Sequence, residues 1–140
     1  MQRQLIQLVN KSLMNAEILL VDDNSVQAAT RQAVLSLHGR TVAVAESAYR
    51  ALEMLEEPEL FNSVGLVITD HCMPDLNGPQ FIDLLRRRLP AIPVLVLSGM
   101  PDAEDEYAGL DVVFRTKPIL PDQLLALVAS FLDQPMRRTA

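Results

Sequence analysis

The sequence predicts a doubly wound α/β domain, in which helices cover both faces of a parallel sheet. Three short continuous apolar runs, which are typical of strands buried on both faces, are ILLVD (18–22), LVITD (66–70) and PVLVLS (93–98). Two weaker strand candidates are TVAVAE (41–46) and DVVFRT (111–116). Segments with a helical spacing of apolar residues separate the strands, and this alternation indicates a parallel sheet with right-handed crossovers.

The helices are predicted from apolar residues that share one face and from residues that begin or end helices. The four apolar sets are Val26, Ala29, Ala33 and Leu37; Ala48, Ala51, Leu52 and Leu55; Phe81, Ile82, Leu85 and Leu89; and Leu124, Leu127, Val128 and Phe131. Gly39 is expected to end the first helix. Ser47 is expected to cap the second, and Pro58 lies just past its end. Pro90 stops the third helix, and Pro121 lies near the start of the last.

Composition and charge limit the classes of function. The chain has 140 residues, of which 49% are hydrophobic and 21% charged, and this suits one folded domain. A net charge of −6 argues against direct nucleic-acid binding, and the basic runs 86–88 and 137–138 are interpreted as solvated positions. The single cysteine, Cys72, excludes an internal disulfide and a cysteine-rich zinc site. Because no apolar run approaches the ~18 residues of a membrane span, we expect a cytoplasmic protein without membrane insertion.

The two ends of the chain fall outside the alternation of strands and helices. Residues 17–134 are expected to form the domain, with 1–16 as an N-terminal extension and 135–140 as a tail. The apolar residues of the extension are spaced to line one side of an extra helix: Leu5, Ile6, Val9 and Leu13. Two interpretations of this extension stay open: a frayed linker, and a helix that packs on the domain or on a second chain.

Polar side chains follow four of the five predicted strands at their carboxyl ends. The first strand ends at Asp22 and Asp23, the third at Asp70 and the fourth at Ser98, while the fifth leads into Lys117. Each residue alone has an ordinary explanation as a helix cap, a turn or a solvated charge. Ligands of open α/β sheets bind beyond the carboxyl ends of the strands, so we expect these groups to converge in one crevice.

The chemistry of this crevice favours Mg²⁺ and phosphoryl transfer. Three carboxylates repel each other unless a cation lies among them, and hard oxygen ligands at an open loop site suit Mg²⁺. A carboxylate beside Mg²⁺ and a lysine can attack phosphorus and become an acyl phosphate. Asp70 is therefore the predicted nucleophile, with Lys117 neutralising phosphoryl oxygens and Ser98 donating a hydrogen bond to one of them.

Four segments together resemble the receiver domain of two-component response regulators: LLVDDN (19–24), ITDHCMPDLNG (68–78), VLSG (96–99) and FRTKP (114–118). The resemblance covers about residues 16–134. It implies a flavodoxin-like five-stranded parallel sheet of order 2-1-3-4-5. It also implies a protein that is not an enzyme on a separate substrate, but takes part in its own phosphorylation and autodephosphorylation.

The resemblance assigns the phosphoryl and metal positions residue by residue. Asp70 matches the phosphorylated aspartate. Asp22 and Asp23 match the acidic pair that helps to bind Mg²⁺, and the backbone carbonyl of Cys72 matches a further protein ligand. The implied phosphoryl donor is a phosphohistidine on a sensor histidine kinase or a histidine phosphotransfer protein.

The resemblance also implies a conformational switch. Ser98 matches the residue whose side chain moves toward the phosphoryl group. Phe114 matches the aromatic residue that turns inward when Ser98 moves. Lys117 matches the lysine of the family, whose bond to Pro118 is cis. The surface around the fourth helix, fifth strand and fifth helix would then change its affinity for a downstream protein target.

Two features depart from the family pattern. Only 18 residues separate Ser98 from Lys117, and they include the acidic stretch PDAEDEYAG. We therefore expect a fourth helix of about two turns or poor order, which leaves open the homodimer that receivers form through this face. His71 and Cys72 directly follow Asp70, and a metal site of these two side chains is the weaker interpretation; a Cys72 side chain that borders the phosphoryl site and influences hydrolysis is the stronger one.

Three alternatives remain at this level. The fold could serve as a phosphorylation-independent interaction module, although such a module needs no Asp, Ser and Lys set. A small hydrolase or nucleotide-binding enzyme is disfavoured because the sequence has no GxxxxGK[ST] loop and no glycine-rich dinucleotide turn. The 23 residues after Lys117 leave no room for an output domain, which suggests a single-domain regulator or the receiver fragment of a longer protein such as a hybrid kinase.

Overall fold

The computed structural model describes residues 15–133. The strands are β1 (Ile18–Val21), β2 (Val42–Ala45), β3 (Leu66–Asp70), β4 (Val94–Ser98) and β5 (Val113–Thr116). The α-helices are α1 (Ser25–Leu37), α2 (Ala48–Met54), α3 (Pro58–Ser63), α4 (Gly78–Arg88) and α5 (Pro121–Leu132), and a 3₁₀ helix covers Pro101–Tyr107. The predicted extension, apart from its last two residues, and the predicted tail lie outside the described residues, so the domain boundaries stay predictions.

The five strands form one parallel sheet of order β2-β1-β3-β4-β5, which confirms the predicted fold class. The sheet is buried on both faces, as the continuous apolar runs indicate. In β1, Leu19 and Val21 pack on one face while Ile18 and Leu20 pack on the other. Helices α2, α3, α4 and the 3₁₀ helix cover the first face, and α1 and α5 cover the second.

Helix α1 lies with a different side against the sheet from the one its apolar spacing indicates. Its buried residues are Ala28 and Leu35, whereas Val26 and Leu37, which belong to the predicted face, are 73% and 82% exposed. Polar contacts on the inner side explain the difference, because Gln32 donates a hydrogen bond from Nε2 to the carbonyl oxygen of Val42 at 3.1 Å. The interpretation of Val26, Ala29, Ala33 and Leu37 as a packed face was therefore wrong.

Local sequence signals determine most helix ends. Gly39 has a φ of +83° directly after the C-cap of α1, as expected for a glycine that ends a helix. The Ser47 side chain accepts a hydrogen bond from the backbone N–H of Arg50 and caps α2. Pro58 both follows α2 and occupies the first turn of α3, a short helix that the sequence analysis did not predict.

The segment between β4 and β5 is short, as predicted. It forms a 3₁₀ helix of 7 residues, about two turns, with Ala103 and Tyr107 buried and the acidic side chains outside. None of the helices within residues 15–133 has the length and hydropathy of a membrane span.

Candidate functional site

Three carboxylates meet at the carboxyl edge of the sheet. Asp22 and Asp23 follow β1, and Asp70 is the last residue of β3, the strand beside it. One carboxylate oxygen from each lies within 4.8 Å of the others. Adjacent parallel strands end at the same edge, and here the chain order switches between β1 and β3, which is where open α/β sheets bind ligands. This set of hard oxygen donors fits a divalent cation such as Mg²⁺.

Lys117 provides a positive charge to the cluster. Its Nζ lies 2.5 Å from Oδ1 of Asp70, whose side chain is only 9% exposed. The backbone N–H of Lys117 donates a hydrogen bond to the carbonyl oxygen of Ser98 at 2.7 Å, so β4 fixes the position of the lysine. The peptide bond between Lys117 and Pro118 is cis, as the resemblance implies.

Asp22 is nearly fully buried, and both of its carboxylate oxygens have partners. The backbone N–H of Asn24 donates to Oδ1 at 2.9 Å, and Nη1 of Arg31 donates to Oδ2 at 2.9 Å. Burial raises the pKa of Asp22 above its ordinary value, and the nearby charge of Asp70 raises it further. The Asn24 hydrogen bond and the charges of Arg31 and Lys117 lower the pKa in the opposite direction.

Ser98 lies at the end of β4 and is 1% exposed. Its Oγ accepts a hydrogen bond from the backbone N–H of Met100 at 2.9 Å, at the start of the 3₁₀ helix. Cys72 is exposed, and its Sγ lies 3.8 Å from Sδ of Met100. A cleft of about 450 Å³ opens beside the carboxylates, with Asp23, Cys72 and Asn77 in its lining.

A buried hydrogen bond joins the residue after Asp70 to the 3₁₀ helix. The ring nitrogen Nδ1 of His71 is 2.6 Å from the hydroxyl of Tyr107, and Nε2 of His71 is 3.8 Å from a carboxylate oxygen of Glu106. Burial raises the pKa of Tyr107. The Tyr107 ring packs on Phe114 with ring centroids 5.8 Å apart. Phe114 is itself only 8% exposed.

The loop after Asp70 is held by two acidic or amide side chains. Asp75 accepts hydrogen bonds from the backbone N–H groups of Ala48 and Tyr49 at the start of α2. Asn77 caps α4 through the N–H of Gln80, and the Gln80 side chain accepts from the N–H of Asn77. The loop therefore enters α4 in a defined direction. No role was predicted for Asp75 or Asn77 from the sequence.

The structure brings together the three carboxylates and the lysine that the sequence places at the strand ends. Ser98 lies at the end of the neighbouring strand β4, with its hydroxyl hydrogen-bonded to Met100. The structure also adds Gln27, Arg31 and Tyr107, for which the sequence analysis proposed no function. For the first two, the available signal was their spacing on α1, one helical turn apart and following the acidic pair. No sequence pattern indicated a role for Tyr107, because its contact with His71 joins residues 36 positions apart.

The fold and the site define a doubly wound α/β protein with an acidic cluster, one member of which pairs with a lysine, at the switch point of its sheet. The family model "Response regulator receiver domain" matches residues 18–129. The chain therefore belongs to the response regulator receiver domain family, whose members act in two-component phosphotransfer.

Individual relatives agree with this assignment. The chain is 30% identical over 122 residues to the hydrogenase transcriptional regulatory protein HoxA of Cupriavidus necator, covering 84% of this chain and 24% of that protein. It is 33% identical over 125 residues to the sensor kinase CckA of Brucella abortus, covering 86% of this chain and 13% of the kinase. The chain thus spans a quarter or less of the length of these two relatives.

A solved structure gives the same result. The response regulator receiver domain protein from Clostridium thermocellum superimposes with a TM-score of 0.76 at 26% sequence identity, covering 84% of this chain and 94% of that one.

Proposed function

We propose that the chain accepts a phosphoryl group from a phosphohistidine onto Asp70 and thereby switches a protein-interaction surface. The observation that carries the proposal is the nearly buried Asp70 carboxylate, paired with Lys117 at 2.5 Å and clustered with Asp22 and Asp23. In this reaction a carboxylate oxygen of Asp70 attacks phosphorus. The bond between phosphorus and the donor imidazole breaks, and its electron pair returns to the imidazole nitrogen.

The charges around Asp70 suit this reaction. Asp22, Asp23 and Asp70 would hold Mg²⁺, with the backbone carbonyl of Cys72 as a further ligand. The bound ion supplies charge neutralisation for the phosphoryl oxygens. Lys117, which pairs with Asp70 before the transfer, can then pair with a phosphoryl oxygen. Receivers carry out this chemistry on themselves, so we propose no separate substrate.

The proposed donor docks beside α1. A groove of about 210 Å³ is lined by apolar side chains that include Val26, Val34 and Ile119, and by Gln27, whose side chain contacts Lys117. A helical surface of a histidine kinase or phosphotransfer protein would cover these apolar groups and bring its histidine to Asp70. We expect Val26→Ser to slow transfer from such a donor while leaving labelling by acetyl phosphate unchanged.

The proposed switch starts at Ser98. A phosphoryl group on Asp70 would draw the Ser98 hydroxyl away from the Met100 N–H. The start of the 3₁₀ helix would then lose a hydrogen bond, and the contacts of Tyr107 with Phe114 and His71 would carry the change to the outer surface. The downstream partner is proposed to be a protein that binds this surface.

The test is covalent labelling. With acetyl phosphate and Mg²⁺, the wild-type protein should gain one acid-labile phosphate, measured by intact-protein mass spectrometry, and Asp70→Asn should gain none. Asp83→Asn is the matched control, because Asp83 is exposed on α4 and pairs only with Arg87 among the described residues. Labelling of Asp70→Asn at the wild-type level would refute the assignment. Partner binding that is unchanged by phosphodonor would favour the phosphorylation-independent interaction module.

A further inference from the structure

The interactions of Asp22 differ from those of the other two carboxylates in the cluster. Its side chain is 1% exposed, and Arg31 contacts it from α1 with a side chain that is itself only 14% exposed. The Arg31 guanidinium donates to Oδ2, and the Asn24 N–H donates to Oδ1. The protein thus provides its own cation for one of the carboxylates that would help to hold Mg²⁺.

Gln27 links this cation to Lys117. Its Oε1 lies 3.4 Å from Nη1 of Arg31 and 3.2 Å from Nζ of Lys117. Lys117 in turn contacts Asp70. One amide oxygen on α1 therefore holds two cations, each of which pairs with a different nearly buried carboxylate.

The electrostatic consequence concerns divalent cations. Arginine keeps its charge at any pH at which the protein is folded. The Arg31 charge therefore opposes the approach of a second cation to Asp22 and occupies an oxygen that such a cation would attract. Without a bound metal, the same charge lowers the repulsion between Asp22 and Asp70.

We propose that Arg31 is a positioning residue that weakens Mg²⁺ binding at the acidic cluster, by stabilising Asp22 when the metal is not bound. This inference rests on the proposed function, because it requires Mg²⁺ to bind at these carboxylates. Its consequence is a receiver that needs a higher Mg²⁺ concentration for loading than the three carboxylates alone would require. Removal of Arg31 should tighten Mg²⁺ binding and destabilise the metal-free protein together.

The experiment is a calorimetric titration with Mg²⁺ alone, without phosphodonor, on the full chain. Arg31→Met should bind Mg²⁺ about threefold to tenfold more tightly, the range expected for loss of one partly screened charge near a divalent cation. Arg31→Lys keeps the charge and should stay within about twofold of wild type. Arg87→Met removes the same charge from an exposed position near the far end of α4 and should also stay within about twofold.

Thermal unfolding provides a second measurement. In EDTA, Arg31→Met should melt a few degrees below wild type, and saturating Mg²⁺ should raise its melting temperature by more than it raises that of wild type. A purely structural role for Arg31 would instead lower both melting temperatures equally and leave Mg²⁺ affinity unchanged. If Arg31→Met does not fold, the same titration is done on Arg31→Gln, which also removes the charge.

The outcomes separate the two proposals. A wild-type protein that does not bind Mg²⁺ at millimolar concentrations overturns the proposed metal site itself. Wild-type binding with unchanged or weaker binding by the Arg31→Met variant overturns the role of Arg31 alone. Tightening by Arg31→Lys equal to that by Arg31→Met also overturns it, because the effect would then not come from charge.

Discussion

The two sides of Asp70 are held by different kinds of interaction. On the α1 side, Arg31 and Lys117 pair with carboxylates, and their side chains are 14% and 21% exposed. On the side of the 3₁₀ helix, His71 and Tyr107 form a hydrogen bond and are 8% and 4% exposed. Ion pairs near water can exchange one partner for another, whereas a buried, packed contact changes only when the segment moves. The first side is therefore suited to accept ions and phosphate, and the second to transmit a change.

Among the variants around Asp70, the largest effect is expected where the packed side is tightest. A Cβ added to Gly78 would overlap the hydroxyl and ring of Tyr107. Gly78→Ala should therefore lose about 2 kcal/mol in free energy of unfolding, although alanine in a helix normally gains ~1 kcal/mol over glycine. Urea unfolding measures this change.

Matched variants sharpen the result for Gly78. Gly99→Ala is the control, because a Cβ there meets nothing within 4 Å. The double variant Gly78→Ala with Tyr107→Leu should lose less than the sum of the single changes, since the smaller side chain removes the overlap. A Gly78→Ala variant that is more stable than wild type would contradict the steric interpretation.

A smaller effect is expected for the hydrogen bond between His71 and Tyr107 itself. Tyr107→Phe keeps the ring packing on Phe114 but leaves Nδ1 of His71, in a nearly buried position, without its hydrogen-bond partner. The free energy of unfolding should fall by about 1–2 kcal/mol. Tyr49→Phe, at a residue 57% exposed, should change it by less than ~0.5 kcal/mol. Equal losses in the two variants would show that the His71 contact adds no stability.

The contribution of the charged side to stability should depend on pH. Burial raises the folded-state pKa of Asp22 above its ordinary 3.8. Between these two pKa values the folded protein binds more protons than the unfolded chain, so this carboxylate makes stability fall as pH rises through the window.

Asp22→Asn removes this contribution. In EDTA, the stability of wild type minus that of Asp22→Asn should therefore decrease as pH rises from about 4, the ordinary pKa region of an aspartate. Pairing with Arg31 exists only while Asp22 is ionised, so it is part of this pH-dependent contribution, and the slope with pH is the quantity to measure. A difference that grows with pH would disprove the assigned direction.

The smallest effect on stability is expected on the outer side of α1. Val26→Ser and Leu37→Ser change residues that are 73% and 82% exposed and should alter the free energy of unfolding by less than ~0.5 kcal/mol. Leu35→Ala, at a fully buried position of the same helix, should lose about 3 kcal/mol. Large losses in the free energy of unfolding at Val26 or Leu37 would show that the face predicted from the apolar spacing is packed after all.

The predictions from sequence succeeded where the signal is local. The β1 and β3 strands were predicted because their apolar runs are continuous, and the position of Asp70 follows from its place at the end of such a run. The short β4–β5 segment followed from counting the residues between Ser98 and Lys117. The buried face of α1 was predicted wrongly from its apolar spacing, because Gln32 and Arg31 bond inward to Val42 and Asp22. These partners lie outside the helix, so its own sequence does not show them.

The sequence by itself determined the parallel sheet and the strand-end carboxylates, because parallel strands bring their carboxyl ends to one edge whatever the helices do. Only the tertiary structure decided that Arg31 pairs with Asp22 and that Tyr107 reaches His71 across 36 positions of the chain. Such pairings arise from burial between separate elements, where a few shared contacts outweigh local periodicity. No pattern along the chain records which distant side chain completes them.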